Sequence, residues 1–289
     1  MLDRILFPTD GSDGASAAFD HVLDLAADYD ATVHVLNVAD TTHDSVTRLG
    51  SEVVDVLERE GRQIVESTAE RAADRGVETV TDVFQGGIAE TITAYAEEYG
   101  TDLIAMSTRG QTGLDRLFLG STTERVVRRS TVPVLSIGSD GAPARYPYRN
   151  ILVPTDGSER AGDALDRAAA LAEHAGATVH ALSVVDVGLI GGEGYSGVTA
   201  LVEGAEETVA AAATTAEAAG VDAVETVAVE SSAARGIRSY IADNEIDLVV
   251  MGTQGRTGVE RYLLGSVAER TIRTSPVPVL TVPDPDGGV

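Results

Sequence analysis

The stretch that decides the fold reads LFPTDGS at residues 6–12, and it returns as LVPTDGS at residues 152–158. Each copy is an apolar run followed by a Pro-Thr-Asp-Gly-Ser turn. The spacing of 146 residues is much longer than the ~20–50 residues of a solenoid unit, so it indicates a duplicated domain. Two further pairs repeat in the same order: TVH at 32–34 and 178–180, and VPVL at 132–135 and 277–280.

The duplication also sets the domain boundaries. A chain of 289 residues is long enough for two domains of ~100–200 residues each. We predict one domain over 1–139 and a second over 148–289. The linker at 140–147 is short, polar and contains Gly and Pro, as expected between domains.

Short apolar runs alternate with longer helical patterns in both copies. Runs such as ILV at 151–153 lack in/out alternation, which indicates strands buried on both faces. This alternation predicts an α/β fold: two tandem doubly wound domains, each a five-stranded parallel sheet with helices on both faces. The predicted strands are 4–8, 32–38, 78–84, 103–107 and 132–137, then 151–153, 178–185, 223–229, 248–251 and 277–282; the predicted helix caps are Ser12, Ser121, Ser158 and Ser266.

Acidic charge is spread along the whole chain. The net charge is −25, from 46 acidic residues and 21 basic residues that are all arginine, and there is no lysine or cysteine. The halves before and after residue 146 carry similar charge, so an acidic tail does not account for the excess. We interpret the pattern as halophilic, since concentrated salt screens such repulsion.

The same composition excludes several classes of site and partner. Without lysine there is no Walker-type phosphate site and no Schiff base, and without cysteine there is no disulfide or thiolate metal centre. The charge argues against nucleic acid and anionic lipid as partners. No run reaches the ~18 apolar residues of a membrane span, and the first residues lack a signal-peptide pattern, so we expect a cytoplasmic protein.

A Gly-rich loop follows the fourth predicted strand, at the edge where doubly wound sheets bind ligands. In copy two it runs from Gly252 through Gly255 to Gly265 and Ser266, directly before a helix. Glycines let backbone N–H groups approach a phosphate, and a helix N-terminus adds free N–H groups and a favourable dipole. The alternative is that the glycines only form tight turns and Ser266 only caps the helix. Composition alone leaves both interpretations open.

The loop resembles the nucleotide-binding signature G-x2-G-x9-G-(S/T) of the universal stress protein family. Copy two matches it in full, whereas copy one has Ser107 at the first position, followed by Gly110, Gly120 and Ser121. The PTDGS and VPVL stretches also resemble that family, so the resemblance covers nearly the whole chain twice. Ser107 adds a Cβ where the family's backbone passes close to its ligand, and on that ground we predict tighter binding by copy two.

The resemblance implies a Rossmann-like fold of the adenine nucleotide alpha hydrolase type and ATP or AMP as ligand, with Mg²⁺ as an open addition. Adenine would contact the turn after strand one and the end of strand two, and the phosphates would contact the Gly-rich loop. The implied binding residues are Pro8, Thr9, Asp10, Val38, Ser107, Arg109, Gly110, Gly120, Ser121 and Thr122 in copy one, and Pro154, Thr155, Asp156, Val184, Gly252, Gln254, Gly255, Gly265, Ser266 and Val267 in copy two.

Three kinds of residue have alternative interpretations. Asp10 and its counterpart in copy two fit either an Asx turn or a contact to adenine or ribose, and we favour the contact because of the adjoining cleft. His34 and His180 are predicted to be satisfied strand residues rather than metal ligands, because no ligand cluster with suitable spacing accompanies them. Arg116 and Arg261 fit phosphate neutralisation and surface ion pairing equally well.

The favoured function is an adenine-nucleotide-binding module of the stress response whose output is conformational. The alternatives are a slow ATPase or phosphotransferase at the same site, and a partner-binding tandem domain with a degenerate pocket. No catalytic residue is identified, because the sequence shows no nucleophile–base pair and a phosphate cradle alone accelerates nothing. The last strand of each copy is a predicted sheet edge, so we expect an intramolecular pseudo-twofold dimer, with a homodimer of chains left open.

Overall fold

A computed structural model describes residues 2–41, 51–108, 120–138, 144–189, 195–255 and 264–284. The chain divides into Met1–Tyr146 and Pro147–Val289, called unit one and unit two below. Tyr146 of the predicted linker belongs to unit one, since its ring lies edge-on to His21 with 6.0 Å between ring centres, whereas Pro147 begins unit two. The first linker residues, 140–143, lie outside the described residues.

Unit one is a parallel sheet with strand order β3-β2-β1-β4-β5. The order reverses between β1 and β4, so the carboxyl ends of these strands form the topological switch point. The elements are β1 (Arg4–Pro8), α1 (Asp13–Tyr29), β2 (Thr32–Asp40), α2 (Ser51–Asp74), β3 (Thr79–Gly86), α3 (Ile88–Glu98), β4 (Leu103–Ser107), α4 (Ser121–Arg129) and β5 (Val134–Ile137).

Unit two repeats this arrangement with strand order β8-β7-β6-β9-β10. The predicted doubly wound α/β fold is therefore confirmed in both copies. The elements are β6 (Asn150–Pro154), α5 (Glu159–Ala175), β7 (Thr178–Asp186), a 3₁₀ turn (Val187–Leu189), α6 (Tyr195–Ala218), β8 (Ala223–Glu230), α7 (Ala233–Asp243), β9 (Leu248–Gly252), α8 (Ser266–Thr274) and β10 (Val279–Val282).

Helices cover both faces of each sheet, as β2 shows. His34 contacts Tyr95 of α3, whereas Asn37 lies against Gly61 of α2. Residues of opposite parity point to opposite faces of a strand, so α2 and α3 lie on opposite sides. The core of unit one is dense: Phe7 of β1 and Phe19 of α1 are both buried, with ring centres 4.8 Å apart. Such a pair contributes about 0.5–1.5 kcal/mol beyond its burial.

Two local predictions differ from the structure. Ser12 and Ser158 are N-caps and accept hydrogen bonds from the N–H groups of residues 15 and 161, but Ser121 and Ser266 are the first residues inside their helices, after glycine N-caps. Strands β5 and β10 begin two residues later than predicted, at Val134 and Val279, because the proline before each has no N–H to donate and the valine before that proline pairs with a serine hydroxyl.

Within the described parts of the chain, no helix is both long and apolar enough to cross a bilayer.

Candidate functional site

The turn after β1 is held in the same conformation in both units. The Thr9 N–H donates to the Leu36 carbonyl at 2.8 Å, and the Ser12 N–H donates to Asp10 Oδ1 at 3.0 Å. Unit two repeats the second bond between Ser158 and Asp156, again at 3.0 Å. The Asx-turn interpretation of these aspartates is therefore correct as to geometry, and it uses one carboxylate oxygen of each.

Helix α4 begins without a side-chain cap from its N-cap residue. Gly120 is its N-cap and offers no side-chain oxygen, so among the described residues the N-cap provides no side-chain acceptor for the N–H groups of the first helical turn. A Cβ on Gly120 would lie 2.8 Å from the Thr108 carbonyl oxygen, which accepts the Gly120 N–H. Only glycine fits this approach, so the cap position excludes the usual Ser, Thr, Asp or Asn. Gly265 takes the same place before α8, with its N–H bonded to the Thr253 carbonyl at 2.8 Å.

A cleft of about 1040 Å³ opens in unit one at the carboxyl ends of β1, β2 and β4. It collects segments that are far apart in the chain, and helices α2, α3 and α4 form its walls. Every predicted copy-one residue that the structure describes lines it: Pro8, Thr9, Asp10, Val38, Ser107, Gly120, Ser121 and Thr122. The two remaining residues, Arg109 and Gly110, lie outside the described residues, as do Arg116 and Arg261.

In unit two the Gly-rich loop lies against the turn after β6. A Cβ on Gly255 would lie 2.7 Å from Asp156 Oδ2, so the Gly-rich loop and the turn after β6 touch. Val184 at the end of β7 lies against α7, where a Cβ on Gly236 would be 2.8 Å from Val184 Cγ1. The turn carries Pro154, Thr155 and Asp156, the strand end and the loop carry Gly252, Gln254 and Gly255, and the start of α8 carries Gly265, Ser266 and Val267.

Residues 1–137 and 147–283 each match the universal stress protein family. The chain belongs to this family. Universal stress protein MJ0531 of Methanocaldococcus jannaschii is 34% identical over 142 residues, which are 47% of this chain and 82% of that protein. YxiE of Bacillus subtilis, also a universal stress protein, is 33% identical over 147 residues, 47% of this chain and 99% of that protein.

One solved structure shows the same fold over the whole chain. The crystal structure of a universal stress protein from Archaeoglobus fulgidus superposes with a TM-score of 0.76 at 21% identity, covering 100% of this chain and 98% of that one. The curated relatives each span about one unit, whereas this structure spans both. The tandem arrangement of two universal stress protein domains is thus shared with another member.

The first position of the family signature has a packing role in this universal stress protein. A Cβ on Gly252 would lie 3.1 Å from the Arg160 carbonyl oxygen and 3.2 Å from the Arg160 Cβ, both in the first turn of α5. Unit one has Ser107 at the end of β4 and Gly14 as the second residue of α1, where unit two has Gly252 and Arg160. The close contact at Gly252 is made by helix α5, whereas Ser107 lines the cleft of unit one.

Charge is unevenly placed around the cleft of unit one. The acidic side chains Asp10, Asp40, Glu60 and Glu90 line it together with Arg125 of α4. Glu90 is engaged by Arg129, and hydrogen bonds from its own backbone N–H and from Arg129 lower the pKa of the Glu90 carboxyl. A phosphate group therefore fits the α4 end, where N–H groups and Arg125 lie, better than the acidic β2 end.

Both strand histidines form hydrogen bonds with tyrosine hydroxyls, which agrees with the prediction that they are satisfied strand residues. His34 Nδ1 lies 2.9 Å from the Tyr95 hydroxyl, which donates to Asp82 at 2.6 Å. His180 Nδ1 lies 2.9 Å from the Tyr240 hydroxyl. Burial lowers the pKa of both imidazoles, with Arg4 adding to the effect at His34. Across the described residues, no group of three or more His, Asp or Glu side chains is arranged to hold a metal ion.

Two site residues escaped the sequence analysis. Asn37 lines the cleft and bonds the turn after β1, and Arg160 ties α5 to the segment after β10 through Asp284, at 2.9 and 3.1 Å. The only sequence signal for either was a difference between the copies at an otherwise matched position: Asn37 against Ser183, and Gly14 against Arg160.

Proposed function

We propose that this universal stress protein binds an adenine nucleotide, ATP or AMP, in the cleft of unit one and at the matching site of unit two. The supporting observation is the convergence at the cleft of the β1 turn, the end of β2 and the uncapped N-terminus of α4. The first supplies carboxylate and backbone groups for a base or ribose, and the last supplies N–H groups for phosphate. The role that follows is a cytoplasmic stress-response module whose nucleotide state changes its conformation.

The proposal makes the start of α4 the phosphate end, and a carboxylate placed there tests it. Ser121→Asp adds a negative charge in the first helical turn, which favours the helix by about 0.3–1 kcal/mol through its dipole but repels a phosphate. Ser121→Asn keeps the size without the charge. We expect Ser121→Asp to weaken ATP binding at unit one more than tenfold in calorimetry, with an unchanged or higher melting temperature, and Ser121→Asn to bind nearly as the parent does.

Ser266→Asp and Ser266→Asn provide the same pair in unit two, so the four variants assign each binding event to one unit. Titrations with and without Mg²⁺ show whether the metal accompanies the nucleotide. Inorganic phosphate measured in the same samples separates binding from turnover, since release would favour the slow ATPase. Equal ATP affinities for the Asp and Asn variants would refute the phosphate assignment.

A further inference from the structure

Asn37 connects β2 to the turn after β1. Its side chain is buried, 8% exposed, and Nδ2 donates to the Thr9 carbonyl oxygen at 2.8 Å. The Thr9 N–H already donates to the Leu36 carbonyl. Both polar backbone groups of Thr9 are therefore bound by adjacent residues of β2, which sets the position of the turn that carries Asp10.

Helix α2 leaves room for this asparagine. A Cβ on Gly61 would lie 2.5 Å from Asn37 Oδ1 and 3.0 Å from Val83 Cγ1, so any larger residue at position 61 would displace the amide. One helical turn further on, Ile64 covers the same turn of the chain: a Cβ on Gly11 would be 3.0 Å from Ile64 Cγ1. The turn after β1 is thus held from the strand by Asn37 and from the helix by Ile64.

Unit two has a different pair in the same places. Ser183 follows Leu182 as Asn37 follows Leu36, and the Thr155 N–H keeps its bond to the Leu182 carbonyl at 2.8 Å. Ala205 is the eleventh residue of α6, as Gly61 is of α2. Between these described residues, no hydrogen bond joins Ser183 to the Thr155 carbonyl. Compared with unit one, unit two has a larger residue on the helix and a shorter residue on the strand. The combined side-chain volume of the pair is therefore kept, and the amide is absent.

We propose that Asn37, with the space left by Gly61, is a positioning residue that holds the β1 turn of unit one ready for the base and ribose of a nucleotide. The inference rests on the proposed function for its ligand, whereas the fixed turn is a property of the unliganded chain. It makes the two sites of this universal stress protein unequal at their base end. Rigid placement of binding groups before association reduces the ordering cost of binding, so the asparagine acts on affinity through the turn that it holds.

The exchange between the units supplies the experiment. Asn37→Ser removes the amide and leaves a void, whereas Asn37→Ser with Gly61→Ala recreates the pair of unit two and refills the space. All variants are made in the full chain carrying Ser266→Asp, so that only unit one reports ATP binding. We expect Asn37→Ser to lower both the melting temperature and the ATP affinity. The double variant should recover the melting temperature while its affinity stays about three- to tenfold below the parent, the effect of one lost hydrogen bond.

Hydrogen exchange of the ligand-free chain gives a second measurement that needs no nucleotide. The amides of Gly11 and Ser12 donate to Thr9 Oγ1 and Asp10 Oδ1 within this turn. They should exchange faster in both Asn37 variants than in the parent. The reciprocal change, Ser183→Asn with Ala205→Gly in an otherwise unaltered chain, should slow exchange at Gly157 and Ser158.

Two results would overturn the inference. If the double variant regains parental ATP affinity along with its stability, Asn37 only fills space. If turn exchange is unchanged in the variants, Asn37 does not hold the turn. Failure of the proposed function is a distinct outcome: the parent with only unit one intact would show no heat with ATP or AMP, and turn exchange would still decide whether Asn37 positions the turn.

Discussion

At the level of single residues, Gly252 shows that a position of the family signature can favour glycine because of packing as well as because of ligand binding. A Cβ on Gly252 would lie 3.1 Å from the Arg160 carbonyl oxygen, in the first turn of α5. Ser107 takes the corresponding place in unit one, at the end of β4, where it lines the cleft. The predicted order of affinities, copy two above copy one, stays a prediction.

The reciprocal substitutions separate packing from binding. Gly252→Ser forces a Cβ against the α5 backbone and is expected to destabilise the chain by about 1–3 kcal/mol, the range of overpacked sites. Ser107→Gly removes a Cβ that is already accommodated and is expected to leave ATP affinity at unit one within about twofold. Urea unfolding and calorimetry measure the two quantities. A tenfold gain of affinity in Ser107→Gly would restore the interpretation of Ser107 as an obstacle to the ligand.

At the level of elements, α1 joins the end of unit one to its core. His21 is buried in this helix beside Tyr146, whose hydroxyl donates to Asp28 of the same helix. Burial lowers the pKa of His21 from 6.5 to about 4, outweighing the opposing effects of Asp24 and of a hydrogen bond with the Ala144 backbone. The folded protein therefore favours the neutral form of the His21 imidazole.

This gives a pH dependence of known sign. The unfolded chain takes up a proton on residue 21 first as pH falls, since its pKa there is the ordinary one. The free energy of unfolding should therefore decrease between about pH 6.5 and about pH 4. His21→Gln removes this contribution, so its stability should fall less over that interval than the parent's. His174→Gln, at an exposed position of α5, is the control and should follow the parent. Parallel curves for all three proteins would contradict the assignment.

At the level of the whole molecule, the two units are expected to associate within one chain. Strands β5 and β10 are each the last strand in the order of their own unit, and a strand in that place readily pairs with the edge strand of another sheet. Residues 1–146 expressed alone in molar salt should therefore self-associate, and Val134→Asp in β5 should make them monomeric. Val80→Asp, at the opposite edge strand β3 and 39% exposed, should leave association unchanged. A monomeric unmodified half in light scattering would exclude pairing through β5.

The charge of the whole chain predicts dependence on salt. The net charge is −25, without lysine. The Debye length, beyond which charges are screened, is ~3 Å at 1 M salt and ~10 Å at 0.1 M, so repulsion between the acidic residues grows on dilution. The melting temperature should rise steadily from 0.1 to 2 M KCl. Sucrose at matched osmolality is the control: it stabilises by exclusion from the protein surface without screening charge, so the rise in KCl should exceed the rise in sucrose. A melting temperature independent of salt would count against a halophilic origin of the composition.

The sequence by itself determined the fold class, the duplication and most of the site. Local sequence patterns predict buried strands, capped helices and glycine turns. The strand order follows from the right-handed crossovers that connect parallel strands. Most segments that line the cleft could be named because they recur twice in the same order.

Only the tertiary structure decided what the differences between the copies mean. Gly61 lies against Asn37 in unit one, and Gly252 lies against Arg160 in unit two, and the other copy has different residues at these positions. Read along the chain, each is an isolated substitution more than 20 residues from its partner. The two residues of each pair meet only when a helix packs on a strand. In so close a contact, the volume of one side chain limits the size and the hydrogen bonds of the other.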